Sequence, residues 1–154
     1  MRIYSIQRQT LLHATRESVW KYFSDTGNLN ELTPSDMSFE VLDASPENKM
    51  YAGMIINYRI RPVLNIPVRW TTEITHCLKG NYFVDEQRFG PYSFWHHQHS
   101  FEDHPDGILM RDIVHYALPF GIVGRFIHMI YVKRRLASIF DFREKKIKDV
   151  FPGN

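Results

Sequence analysis

Cysteine is almost absent from this 154-residue sequence, in which Cys77 is the only one. A lone cysteine cannot form an internal disulfide, which excludes a disulfide-stabilised scaffold and is typical of a reducing compartment. The N-terminal segment lacks the basic and then apolar pattern of a secretory signal. No apolar run approaches the roughly 18 residues of a membrane-spanning helix. We therefore expect a cytoplasmic protein without stable insertion into a membrane.

Several familiar motifs are missing as well. The sequence has no GxGxxG, Walker A, GxSxG or HExxH pattern, so nothing in it supports nucleotide-dependent or classical hydrolase chemistry. The net charge is only +2, but residues 121–154 hold 8 Lys/Arg against 3 Asp/Glu. Without a DNA-reading motif, this basic excess favours the solvated outer face of a helix over contact with nucleic acid or an anionic membrane. We predict no nucleic-acid partner.

Aromatic residues, in contrast, are plentiful, at 14% of the chain. A chain of this length usually forms one domain, and it can bury roughly two thirds of its unfolded surface. We therefore expect a single domain over residues 1–154, with a wide interior built from large side chains.

The spacing of apolar residues changes twice along the chain. Residues 2–12 predict an edge strand, Thr15 is a suitable N-cap for a short helix, and a second short helical turn ends before Pro34. A period of two then predicts six strands, which short turn-type connections make antiparallel; they are 38–43, 53–61, 68–78, 81–89, 93–102 and 108–118. After Gly121 a helical period runs to about Lys148. Its apolar stripe comprises Met129, Val132, Leu136, Ile139, Phe140 and Ile147.

This order of elements predicts an α+β fold. A curved, six- to seven-stranded antiparallel sheet would wrap around the long C-terminal helix, with two short helices after the first strand. The space between sheet and helix is the natural place for a ligand.

Alternation along the strands predicts which side chains face that space. The inward set is rich in aromatic and polar residues: Trp70, Asp85, Gln87, Phe89, Trp95, His97, His99, Phe101, Asp112 and Tyr116. A hairpin turn centred near Pro91 puts Asp85 opposite His97, and the next hairpin puts His99 opposite Asp112. Directly opposed residues have Cβ atoms about 5 Å apart. The sequence therefore predicts two neighbouring carboxylate–imidazole pairs inside the cavity.

These pairs admit four interpretations. They could form a structural network, anchor the polar end of a hydrophobic ligand, or act as an acid/base pair in which an aspartate orients His97 or His99. They could also bind a metal, with Asp85 or Asp112 as a third ligand. Because the opposed carboxylates already account for the histidines, we predict no metal and no cofactor.

Three weaker features complete the pattern. The apolar loop Pro62–Pro67 is either a packed turn or a lip over the cavity mouth. Adjacent strand residues point to opposite faces, so His76 and Cys77 should not meet, and His96 should lie outside the cavity.

Several stretches resemble the superfamily that contains START domains, the birch-pollen allergen and polyketide cyclases/dehydrases (SRPBCC), and more closely a small bacterial family of unassigned function within it. They are VWKYFSDTGNLNELTP, the RW of IPVRWTTEI, FVDEQRFGPYSFWHHQHSF, RDIVHYALPFG and RRLASIFDFRE. The resemblance implies a helix-grip fold with a pocket between sheet and helix. It also implies a lipid, sterol-like or aromatic polyketide-like ligand, and in some members cyclisation or dehydration. It assigns no catalytic residues.

Our leading hypothesis is non-enzymatic binding of a small hydrophobic or amphipathic molecule. Its candidate contacts are Trp70, Asp85, Gln87, Trp95, His97, His99, Phe101, Asp112, Tyr116 and Met129. The alternative is a cyclase- or dehydratase-like enzyme in which His97 or His99 is the general base and Asp85 or Asp112 orients it. A third hypothesis is a partner-binding module that uses the basic helix around Lys145 and Lys146.

Overall fold

The computed structural model describes residues 2–43, 49–61 and 66–153. Within these ranges it has seven strands, β1 to β7 in chain order, which are Tyr4–Leu12, Glu40–Asp43, Ile55–Ile60, Val68–Leu78, Tyr82–Phe89, Phe94–His104 and Gly107–Ala117. All neighbouring strands are antiparallel, and their order in the sheet is β1-β7-β6-β5-β4-β3-β2. Consecutive hairpins thus build the sheet from β2 to β7, and the first strand of the chain pairs with the last.

Short helices follow β1, as the sequence predicts. The first is α1, Arg16–Phe23, and it is followed by 3-10 turns at Thr26–Leu29 and Ser35–Met37. Thr15 is confirmed as the N-cap of α1, because its Oγ1 accepts a hydrogen bond from Ser18 N at 3.3 Å. This bond satisfies one of the donors that the start of a helix leaves free.

The C-terminal helix lies against the concave face of the sheet. It consists of α2 (Gly121–Ile127), a π-helical turn (His128–Val132) and α3 (Lys133–Val150). On the predicted stripe, Val132, Leu136, Phe140 and Ile147 are buried. The curved antiparallel sheet and the long helix confirm the predicted α+β architecture.

Met129 does not lie on the inward face, so this part of the predicted stripe is wrong. It is 63% exposed, and the buried residues of that turn are His128 and Val132. In a π turn the hydrogen bonds run from residue i to i+5, which widens the turn and moves side chains away from their α-helical positions. His128 therefore aligns with Val132, and Met129 turns to the outside.

Phe89 is a second error of the predicted inward set, since it is 73% exposed. Between β4 and β5, Gln87 pairs with Thr72 whereas Phe89 pairs with Thr71. β5 thus has one extra residue at this point, which is a β-bulge. An extra residue interrupts the alternation of side chains, so the side chain that follows it points to the other face of the sheet.

The apolar core consists of three clusters of buried residues. The largest cluster joins α1 to the sheet, where Trp20 packs edge-on against Phe83 and Phe101, with ring centroids 6.2 and 6.1 Å apart. Ile147 of α3 and the following Phe151 close this end. Among the described residues, no helix is both long enough and apolar enough to span a membrane.

Two further predictions concern single positions. Cys77 packs against the core, with its Sγ 3.8 Å from Met50 O, whereas His76 is exposed. The two side chains are thus apart, as expected. Residues 62–65 of the proposed lip lie outside the described residues, so the lip remains a prediction.

Candidate functional site

A cavity of about 170 Å³ lies between the sheet and the C-terminal helix. Its wall is mainly apolar, with Ile56, Ile60, Ile74, Leu136 and Ile139 among the aliphatic residues and Tyr58, Trp70, Tyr92 and Trp95 among the aromatic ones. The wall also contains charged and polar side chains, among them Asp85, His97, His99, Arg135 and Arg143, and the first three of these lie together. The cavity is therefore amphipathic, as the alternation along the strands predicts.

Trp70 is at the centre of the aromatic wall. It stacks on Tyr58 at 5.9 Å and meets Trp95 edge-on at 5.3 Å between ring centroids. Tyr58 also hydrogen-bonds Thr72 through its hydroxyl at 3.0 Å, and burial raises the pKa of Tyr58, so this phenol stays neutral. The Trp70 Nε1–H is buried and has no partner among the described residues. Since buried donors are normally paired, this N–H has an unused capacity to donate a hydrogen bond.

Four residues form what we call the Asp–His quartet: Asp85, His97, His99 and Asp112. The predicted register is confirmed, because Asp85 pairs with His97 and His99 with Asp112. Asp85 Oδ2 lies 3.3 Å from His97 Nδ1 and 3.2 Å from His99 Nε2. Asp112 Oδ1 lies 3.4 Å from His97 Nε2 and 2.6 Å from His99 Nδ1. Each imidazole therefore stands between two carboxylates.

The two aspartates occupy different positions relative to the cavity. The side chain of Asp85 is 17% exposed and lines the cavity, whereas that of Asp112 is 8% exposed and lies behind the histidines. At the Asp112 side, His97 Nε2, His99 Nδ1 and Asp112 Oδ1 have no well-aligned hydrogen bond despite the short distances. Their attraction is electrostatic, and it acts in an environment from which water is largely excluded.

Electrostatic interactions among the four side chains shift the pKa values of the quartet. Burial alone would raise the pKa of both carboxyls, but the neighbouring histidines outweigh it and lower the pKa of Asp85 and Asp112. Burial lowers the pKa of His97, and the charge on His99 lowers it further. Burial also lowers the pKa of His99, but the nearby carboxylates of Asp112 and Asp85 have the larger effect. The pKa of His99 is therefore raised. His99 therefore holds a proton more firmly than His97 does.

Arg143 is a site residue that the sequence analysis missed. It lines the cavity from α3, and its buried Nε has no hydrogen-bond partner among the described residues. Arg135, about two helical turns earlier, also has a buried Nε without a partner among the described residues, but its Nη2 lies 2.8 Å from Asp36 Oδ2. A signal was present, because Arg143 continues the buried stripe of Leu136 and Phe140 at helical spacing.

The remaining predicted contacts lie outside the cavity wall. Gln87 closes the hairpin turn, donating from Nε2 to Tyr92 O at 2.7 Å and accepting from Tyr92 N at 3.2 Å. Phe101 belongs to the core near Trp20. Tyr116 is 1% exposed and bonds His128 Nε2 through its hydroxyl at 2.8 Å. Together with Asp112 behind the histidines and Met129 outside, five of the ten predicted contacts do not line the cavity, and the other five do.

His96 lies on the opposite face of β6 from the quartet, as predicted. Its Nδ1 is 2.8 Å from Glu86 Oε1, and both side chains are partly exposed. His96 is thus a histidine of the same strand that has no part in the cavity.

Comparison with known proteins identifies the fold. No family model matches the chain, and no curated protein matches it in sequence. Protein CV1439 from Chromobacterium violaceum is 12% identical with a TM-score of 0.73, and the match covers 97% of this chain and 99% of that one. Norcoclaurine synthase of Thalictrum flavum, solved as a point mutant with a transition-state analogue, is 11% identical with a TM-score of 0.67, over 96% of both chains.

A third similar structure is the di-domain ARO/CYC protein BexL of the BE-7585A biosynthetic pathway. It is 14% identical with a TM-score of 0.73, and the match covers 99% of this chain and 51% of BexL. The chain therefore has the predicted helix-grip fold. Likeness at this level of identity establishes the fold alone, because one fold supports many functions.

Proposed function

We propose that this protein binds a small amphipathic organic molecule in the cavity between the sheet and the C-terminal helix. The observation that supports this most is an aromatic-lined cavity with unpaired polar groups in its wall. Its volume of about 170 Å³ is close to the roughly 150 Å³ that accepts one benzene molecule. Pockets for drug-sized ligands are larger, about 300–1,000 Å³. The expected ligand therefore has one ring or an equivalent aliphatic body.

The polar end of the ligand should accept hydrogen bonds. Arg143 and Trp70 both line the cavity, and each has a buried N–H without a partner among the described residues. A guanidinium matches a carboxylate in charge and geometry. A one-ring carboxylate such as benzoate is thus a suitable probe, and neutral benzyl alcohol has a similar apolar body.

The first test is native mass spectrometry of the gently purified protein, in which an organic mass lost on denaturation would identify the ligand class. The second is a thermal shift with benzoate. A ligand present at about 100 times its Kd stabilises the folded state by about 2.7 kcal/mol. For a chain of this size, each kcal/mol raises Tm by roughly 2–4 °C. No organic mass and no shift with either probe would overturn the proposal.

The Arg143→Met variant tests the polar contact. It should weaken benzoate binding at least tenfold and leave benzyl alcohol binding nearly unchanged, since only the anion pairs with the guanidinium. The matched control is Arg134→Met, because Arg134 lies on the same helix and is exposed. Equal losses for both probes would contradict the assigned role of Arg143.

A second candidate function is a cyclase- or dehydratase-like activity. It is favoured by one feature of the cavity wall, where the His97 imidazole is flanked by the Asp85 carboxylate at 3.3 Å. A carboxylate that orients an imidazole prepares it for proton transfer. Two of the similar structures, the norcoclaurine synthase and the ARO/CYC protein, have names that denote biosynthetic proteins.

Cyclisation and dehydration of such substrates both begin with the removal of a proton from the carbon next to a carbonyl group. Hydrogen–deuterium exchange at the methyl group of acetophenone, followed by NMR in D₂O, measures this step directly. We expect exchange with the wild-type protein and with His96→Gln, and none above background with His97→Gln. Exchange that is equal in all three proteins would eliminate the enzymatic candidate.

A further inference from the structure

The donor atoms on the cavity side of the quartet have the spacing of a metal site. Among the described residues, Asp85, His97 and His99 form a group whose ligand atoms all lie within 4.8 Å of one another. Asp85 Oδ2 is 3.3 Å from His97 Nδ1 and 3.2 Å from His99 Nε2. A tetrahedral ion with bonds of about 2.0–2.1 Å holds its ligand atoms about 3.3 Å apart. These two separations therefore match those around a single tetrahedral ion.

The opposite side of the quartet has the arrangement that supports metal-binding histidines. Histidines that bind a metal through one nitrogen usually donate the other N–H to a carboxylate, which fixes the ring orientation. His97 Nε2 and His99 Nδ1 both face Asp112 Oδ1, at 3.4 and 2.6 Å. One buried carboxylate thus stands behind both candidate ligands.

Charge balance points the same way. Asp85 and Asp112 place two carboxylates in a region where the side chains of His97 and His99 are only 5% and 2% exposed. Buried charge is costly unless it is compensated. One divalent cation would compensate both carboxylates, because an imidazole that binds a metal is neutral; Arg143 also lines this cavity.

We propose that Asp85, His97 and His99 bind one divalent transition-metal ion, Zn²⁺ or Fe²⁺, with Asp112 as the carboxylate that orients both histidines. Two imidazoles and one carboxylate are a common donor set for these ions, and they leave a coordination position open. That position faces the cavity. This inference rests on the proposed function and extends it. The ion would bind the polar end of the ligand, together with Arg143.

The test uses the full-length protein after removal of metals with EDTA. Isothermal titration with Zn²⁺ alone should give one ion per chain, and titration with Co²⁺ alone should produce visible absorption bands of a protein-bound ion. Neither measurement on the wild-type protein depends on how a variant folds. Absence of stoichiometric Zn²⁺ binding and of Co²⁺ bands would overturn the proposal.

Variants then locate the ion. His99→Gln should reduce Zn²⁺ affinity at least 100-fold, and Asp112→Asn should reduce it about 10–100-fold, as the loss of an orienting carboxylate does in other sites. The matched control is His96→Gln, which changes a histidine on the other face of the same strand and should leave affinity unchanged. Loss of binding in His96→Gln but not in His99→Gln would assign the ion to the surface and contradict the proposal.

The two proposals fail separately. Benzoate binding to EDTA-treated protein tests the organic-ligand site without the ion, and Zn²⁺ titration without benzoate tests the ion without the ligand. Zn²⁺ binding without any benzoate or benzyl alcohol binding would remove the proposed function alone. Benzoate binding without Zn²⁺ or Co²⁺ binding would remove the metal site alone.

Discussion

The different positions of the two aspartates lead to a quantitative prediction for metal-free protein. Asp112 contacts both histidines in a region with no access to the cavity, and its side chain is 8% exposed. Removal of one partner from a buried charged pair typically costs about 3–5 kcal/mol, because the other partner is left unpaired. We therefore expect Asp112→Ala to lower the free energy of unfolding by about that amount.

Asp85→Ala should cost less. Its side chain is 17% exposed and borders the cavity, so water can reach the histidine nitrogens that the substitution leaves free. A polar group left without its protein partner costs about 1–3 kcal/mol. The order of the two losses, with Asp112→Ala the larger, is the specific result that the geometry predicts.

Urea denaturation in the presence of EDTA, followed by circular dichroism, measures both losses. Asp141→Ala is the control, because this aspartate is 67% exposed in its ion pair with Arg8 and such pairs contribute about 0–1 kcal/mol. A near-neutral Asp112→Ala, or a larger loss for Asp85→Ala, would refute the view that the quartet is a buried charge network with one accessible side.

Three further predictions concern the scaffold. Phe101→Ala should lower the free energy of unfolding by about 3–5 kcal/mol, since it opens a cavity in the core. In the same urea assay, Phe89→Ala changes an exposed side chain and should stay within about 0.5 kcal/mol of wild type. Similar values for the two variants would contradict the packing. Gly124→Ala should lower Tm markedly, because a Cβ there would overlap with the Pro119 carbonyl oxygen. An unchanged melting curve would show that this approach is not tight. Burial, then Lys133 and Arg2, lower the pKa of His128, so its contribution to stability is present above the unfolded pKa of about 6.5 and is lost as pH falls below it. Between about pH 7.5 and pH 5, the Tm of wild type should therefore fall more steeply than that of His128→Gln, and parallel curves would contradict this assignment.

The strand pairing at the site could be predicted from the sequence because it depends on local rules. Side chains alternate along a strand, and a short hairpin turn fixes which residues are opposed. Those two rules are sufficient to place Asp85 opposite His97 and His99 opposite Asp112. They also identify the sheet face that lines the cavity, and the long helical pattern after Gly121 supplies the element that covers it.

Interruptions of the alternation could not be predicted in the same way. The bulge that turns Phe89 outward and the π turn that turns Met129 outward each insert a residue into a regular repeat. The bulge depends on how β4 and β5 pair, and the position of the π turn depends on how the helix packs. A local sequence pattern therefore does not predict either interruption.

The sequence by itself thus determined the fold class, the register of the central hairpins and the residues that could form carboxylate–imidazole pairs. Only the tertiary structure decided that the two pairs close into one quartet, with Asp85 also 3.2 Å from His99 and Asp112 also 3.4 Å from His97. It alone decided that Arg143 lines the cavity and that about 170 Å³ of space remains there. The physical reason is that diagonal contacts and cavity volume depend on how the sheet curves around the helix, which alternation along a single strand does not specify.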